Sequence, residues 1–91
     1  MVRFTWNPEK AAGNLRKHRV DFRDATAVFD DPYAIEDVDP DPDEERFKRI
    51  GRAGSTILVV VYTERPGGVV RLISARKANM HERKAYQEDP Q

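Results

Sequence analysis

Residues 56–75 read TILVVVYTERPGGVVRLISA, and the fold turns on them. Ile57 to Tyr62 is a β-branched run of central-strand type, because branched side chains pack well on a pleated surface. Arg65-Pro66-Gly67-Gly68 reads as a turn, and Val69 to Ala75 as the strand that returns beside the first. Alternation sorts the hairpin into faces: Leu58, Val60, Tyr62 and Glu64 share one, and Val70, Leu72, Ser74 and Arg76 share one of the next strand. Tyr62 and Glu64 sit at the turn end and Arg76 at the far end. Pairing across the turn therefore keeps Arg76 away from Glu64.

Upstream, RFKRIG (46–51) is a weaker strand and YAIEDVD (33–39) another, with Tyr33 and Ile35 on one side. DPDPDEE (39–45) between them is a loop, since two prolines and dense like charge fit no ladder. Earlier still, RFTW (3–6) is a short β-like start. Asn7 can cap a helix and Pro8 suits its first position, where a missing N–H costs nothing. That helix runs to about His18, with Ala11, Leu15 and His18 on one face. Asp21 can cap a second helix over 21–30, with Phe22, Ala25 and Phe29 on one face and Val28 beside them, stopped by Asp30-Asp31-Pro32. A last helix is expected from about Lys77 to Glu88, with a fraying tail at 89–91. The sum is a single α+β domain over 1–91: two N-terminal helices, an antiparallel sheet of about four strands and one C-terminal helix.

The 91 residues suit one domain with one modest core, 38% of them being hydrophobic. Cysteine is absent, so disulfides and thiolate ligands are excluded and a reducing compartment is expected. The longest strongly apolar run, Ile57 to Tyr62, is far below the roughly 20 residues a membrane helix needs. With no signal-like start, the expected location is the cytoplasm. Net charge is zero but unevenly laid out: Asp30 to Glu45 holds nine acids and no base, and the rest holds all sixteen Lys and Arg. Such a division suits one polyanionic and one cationic partner. It equally suits two regions that fold together and cancel.

Arg76 carries the strongest argument for a phosphate. On this reading it opens the last helix, whose free N–H groups attract anions, Lys77 follows it, and its guanidinium is a planar fork. Pairing with a carboxylate of the acidic stretch would explain it equally. Arg65 leads into the turn and is free to swing. Arg16, Lys17, His18 and Arg19 close the first helix, where cations suit the dipole without any function, and His18 reads as half-buried. No cofactor and no metal are expected: His18 and His81 are far apart, and the acidic loop lacks calcium-loop spacing. Arginines with Lys, Tyr, Glu and His are what metal-free phosphodiester cleavage would need.

Taken together, FTWNPEKAAGNLRKHRVDFRDATAVFDDP, EERFKRIG, ILVVVYTER and RLISARKANMHERKAY resemble the BrnT family of bacterial toxins, in order and over nearly the whole chain. The resemblance implies a fold similar to RelE-type ribonucleases, metal-independent endoribonuclease activity that lowers translation, and a hetero-oligomer with a BrnA-type antitoxin. It points to Arg65 and Arg76 first, then Lys17, His18 and Glu64, as catalytic residues. Arg46, Tyr62, Lys77, Arg83 and Tyr86 are the expected RNA contacts. A non-catalytic module that grips RNA or the ribosome is the alternative. The family commonly has glycine after the Lys-His pair where this chain has Arg19, so either Arg19 bears the strain of a left-handed residue or the turn differs here. The acidic stretch then either faces a cationic part of the antitoxin or keeps the isolated toxin from binding RNA everywhere.

Overall fold

A computed structural model describes residues 2–88. In chain order it has β1 (Arg3–Thr5), α1 (Pro8–His18), α2 (Phe22–Ala25) continued by a 3-10 helix (Thr26–Asp30), β2 (Ile35–Asp39), β3 (Arg46–Ala53), β4 (Thr56–Arg65), β5 (Val69–Lys77) and α3 (Met80–Glu88). Both N-terminal caps form as read. Asn7 Oδ1 accepts from the Glu9 and Lys10 amides, and Asp21 Oδ1 from the Arg23 amide. The second helix keeps its extent, but only its first turn is α-helical.

The sheet has five strands, ordered β1-β5-β4-β3-β2. This corrects the expectation of about four antiparallel strands. β2 to β5 are antiparallel, and the N-terminal stretch adds β1 in parallel to β5, with Arg3 opposite Val69. The partner of β1 is too distant in sequence for any local pattern to announce.

A second correction concerns β5. Val61 faces Ser74 while Tyr62 faces Leu72, so Ile73 is an extra residue in the ladder. One such bulge inverts the alternation beyond it. Ser74 and Arg76 therefore lie on the face opposite Val70 and Leu72, not on the same one.

The first face of the sheet carries Leu58, Val60, Tyr62, Val70, Leu72 and Ala75, buried against Val20, Phe22, Ala25 and Val28. Phe29 joins the two layers, its ring 4.9 Å from Tyr62 and 5.2 Å from Phe4. Gly51 sits under this layer, where a Cβ would come within 3.0 Å of the Val28 Cβ and 3.1 Å of the Ala34 Cβ. The second face is smaller: Ile50, Ile57 and Val59 meet Ala78 and Tyr86.

α1 lies on the first face with a different stripe from the one expected. Leu15 is 46% exposed, and the buried member is Asn14. Its amide donates to Val20 O at 3.0 Å and Ala75 O at 2.8 Å, and its Oδ1 accepts from the Ala75 amide at 3.0 Å. Arg19 ends α1 at φ 60°, so of the two alternatives it is Arg19 that takes the left-handed conformation, its amide donating to Leu15 O. Only glycine adopts that conformation without strain. Arg19→Gly is accordingly expected to raise stability by about 0.5–1 kcal/mol, read as a higher urea midpoint with unchanged slope. A lower midpoint would show that Arg19 contributes a contact worth more than the strain.

The acidic stretch folds largely against the basic one. β2 sets Glu36, Asp37 and Asp39 opposite Arg49, Lys48 and Arg46. Glu36 pairs with Arg49 at 3.0 Å, while Asp41 and Glu44 hold Arg46 at 3.1 and 2.9 Å. Asp43 and Glu45 remain exposed. Among the described residues no helix is long and apolar enough to cross a membrane.

Candidate functional site

β5 continues to Lys77, and the Ala78 amide still donates to Ile57 O at 2.9 Å. The helix after it starts only at Met80, so Arg76 is a strand residue and not the opening of a helix. The argument from a helix N-terminus lapses for Arg76 and Lys77. What replaces it is a carboxylate. Arg76 donates through both terminal nitrogens to the two oxygens of Glu82, each at 2.7 Å. Glu82 also closes a capping box: its Oε1 accepts from the Asn79 amide and its own amide donates to Asn79 Oδ1. The carboxylate thus fixes the start of α3 and the guanidinium together.

Those bonds hold the Glu82 carboxyl down at about 2, the Arg76 hydrogen bond being the main cause, with burial opposing it. Arg76 is correspondingly raised by the same bond. Because the folded value lies below the ordinary one, this stabilisation is complete above about pH 4.5 and fades as pH falls toward 2. The Glu82 side chain is 11% exposed and that of Arg76 39%, so solvent screening trims the effect to about 1–2 kcal/mol. The loss of stability between pH 5 and 2.5 should therefore be smaller in Glu82→Gln than in the parent, measured by thermal melts. Parallel curves would remove the linkage.

Arg76 does not stand alone. Facing rows on this side of the sheet are Arg76–Val59–Ile50 and Ser74–Val61–Lys48, with Arg71 opposite Thr63 and Arg65 opposite Val69. The C-terminal helix covers only the Ile50–Val59 end. Further along, Lys48, Val61, Arg71 and Ser74 are half-buried and Arg65 is exposed. Lys48, Arg65, Arg71 and Arg76 therefore share the open half of the second face, with Arg3 beside Val69 at its β1 edge. Arg65 lies six strand positions beyond the Arg76 row, about 20 Å away.

The remaining expected residues are placed elsewhere. Arg46 follows Lys48 on the same face but is bound by Asp41 and Glu44. Glu64 is exposed at the turn on the first face, opposite Val70. Lys17 and His18 end α1, on the layer across the sheet, Lys17 exposed and His18 half-buried as read. Lys77 is opposite Leu58, on the first face too, where it lines a groove with Arg19 and Asp21. Arg83 is exposed on α3 and donates back to Ala78 O at 2.8 Å.

Neither tyrosine offers its ring to solvent. Tyr62 is buried among aromatics and donates to Glu36, and burial together with that acceptor raises its pKa. Tyr86 is buried and donates to Asp31 at 2.6 Å, tying α3 to the segment before β2. Both are pieces of the frame, which corrects their reading as RNA contacts. Lys48 and Arg71 were not singled out from the sequence. The signal was the alternation in RFKRIG and VVRLIS, which becomes readable only once the register is known. Among the described residues no group of three or more His, Asp or Glu side chains is placed to hold a metal ion.

No curated protein sequence matches the chain. The chain superimposes on the 1.1 Å crystal structure of the Brucella abortus ribonuclease toxin, BrnT, with a TM-score of 0.68 and 26% identity, covering 88% of this chain and 100% of that one. The profile of the family described as "Ribonuclease toxin, BrnT, of type II toxin-antitoxin system" matches residues 6–82, which span both caps, the four strands β2 to β5 and the Arg76–Glu82 pair. The chain thus belongs to the BrnT family of ribonuclease toxins from type II toxin–antitoxin systems.

Proposed function

We propose that this toxin is a metal-independent endoribonuclease of the RelE type, one domain acting in the cytoplasm, and that it cuts RNA on the open half of the second sheet face to lower translation. The observation that supports this reading most is the gathering of Lys48, Arg65, Arg71 and Arg76 on that face, with Arg76 locked by Glu82. Cleavage at a 2′-hydroxyl builds charge on phosphorus, and prearranged guanidinium groups stabilise that charge without reorganising. Arg76 is held in one orientation and suits that role. Arg65, about 20 Å away, is free to hold another phosphate of the same RNA strand, and Arg71 lies between the two. Lys17, His18 and Glu64 lie on the other face and are not needed by this arrangement.

Membership of a type II family implies an antitoxin partner. That this partner is of the BrnA type, forming a hetero-oligomer that covers the cationic face, is part of the proposal. The test uses the purified chain with end-labelled RNA in excess EDTA, with and without translating ribosomes. Discrete new ends from the parent that vanish in Arg76→Ala and Arg65→Ala are the expected result. RNA that is retained but uncut under both conditions would instead make the face a non-catalytic RNA-binding surface.

A further inference from the structure

Between β2–β3 and α3 lies a cleft of about 280 Å³ whose lining includes Lys48, His81 and Glu82, immediately beside Arg76. Ile35 and Ile50 form an apolar floor from the strands, and His81 and Ala85 bring α3 over it. The space falls just short of the roughly 300–1,000 Å³ usual for small-molecule pockets, which suits a single flat ring.

Its acids are not equivalent. Both Glu82 oxygens are taken by Arg76, and Glu36 Oε2 already accepts from Arg49 and Tyr62. Asp37 accepts only its neighbour's amide, from Val38 to Oδ1 at 2.8 Å, and has no ion pair among the described residues. Its cross-strand neighbour is Lys48, on the same face. The free polar edge of the cleft is therefore a carboxylate next to an ammonium.

An anion does not fit this edge, since Arg76 is engaged by Glu82 and the Asp37 carboxylate offsets Lys48. A neutral ring with adjacent N–H donors followed by a carbonyl does. Among RNA bases that order belongs to guanine: N1–H and the 2-amino group can donate in parallel to a carboxylate, and O6 can accept from an ammonium. Adenine and cytosine put a ring acceptor beside the amino group, where a carboxylate repels it. Uracil has a single N–H between two carbonyls. RNA-binding proteins commonly read unstacked bases in this way, by hydrogen bonds to the Watson–Crick edge and stacking on a ring such as histidine.

We propose that this cleft is a base-recognition pocket that takes one guanine of the RNA strand, with Asp37 reading the N1–H and 2-amino edge, Lys48 reading O6 and His81 covering the ring. The inference rests on the RNA reading above, and places a specificity residue, Asp37, on an edge strand away from the phosphate-holding arginines.

The test measures binding rather than cleavage. Four 2′-O-methyl pentanucleotides, which cannot be cut through the 2′-oxygen, differ only in a central G, A, C or U, and their affinity is read by fluorescence anisotropy. The parent is expected to prefer the G oligonucleotide by about tenfold, the discrimination one bidentate contact supplies. Asp37→Asn removes the preference and leaves the other three within twofold. Ala85→Trp, from the exposed side of α3, fills the cleft and has the same effect, which guards against a fold defect at β2. Arg76→Ala weakens all four alike. Equal parental affinity for the four, or a G preference that survives both cleft variants, overturns the pocket while leaving RNA cleavage untouched. Binding of none of the four overturns the pocket as well, and the end-labelled RNA assay then decides separately whether the RNA reading falls.

Discussion

Replacing Arg76 by alanine is expected to lower RNA cleavage by about 100- to 1,000-fold, the usual cost of removing a fixed donor from a site where charge develops. The bidentate bond to Glu82 makes the effect large, because it removes the need to freeze a long side chain when RNA arrives. Arg76→Lys separates charge from geometry. An ammonium keeps the positive charge but cannot fork across two carboxylate oxygens while still facing a phosphate, so recovery by less than tenfold is expected. The capping box survives in both variants, since Asn79 and Glu82 bond each other independently of the arginine. Circular dichroism should therefore stay native. Single-turnover rates on a labelled RNA check the prediction, and Arg76→Ala that cuts at the parental rate would move the chemistry elsewhere.

The second large effect concerns stability. Asn14→Leu is expected to cost about 3–5 kcal/mol, a large share of the roughly 5–15 kcal/mol that separates folded from unfolded domains. Its amide satisfies both the N–H and the C=O of Ala75 and the C=O of Val20, three buried backbone groups that would be stranded at about 1–3 kcal/mol each, less what solvent and relaxation recover. Leucine matches the size and cures none of this. Asn14→Asp keeps the acceptor for the Ala75 amide but turns a carboxylate toward two carbonyls, and is expected to be no better. Urea unfolding followed by tryptophan fluorescence of Trp6 gives the number. A loss below about 1 kcal/mol would show that water replaces the amide.

Much of the frame was open to reading. The hairpin, its glycine turn, both N-caps and the acidic loop follow from local chemistry, because each is decided by residues within a few positions of each other. What stayed hidden depends on distant partners. Nothing near Arg3 says that it lies beside Val69, and nothing in VVRLISA says that Ile73 is passed over by the ladder. That single bulge decides which side of the sheet Arg76 serves, so its role was guessed from a helix start that is really strand. Lys48 and Arg71 became visible for the same reason only with the register. Tyr62 could have been assigned to the interior, since it alternates in step with Leu58 and Val60. Asn14 in the middle of an apolar stripe was also a legible sign, a polar residue where only a bonded one can be accommodated.

The parallel bond between β1 and β5 has a consequence in time as well as space. β5 is bordered by β1, β4 and the Asn14 amide, and it is the last strand of the sheet to be made. Asn14 waits for a partner 61 residues later, and β1 for one further still. Contacts of such separation close slowly and late. A chain emerging from the ribosome can build its first helices and its β2–β3–β4 meander early, but it has no Arg76, no cleft wall and no finished sheet until β5 and α3 have been made. Translation itself postpones the completed toxin until its last strand has emerged.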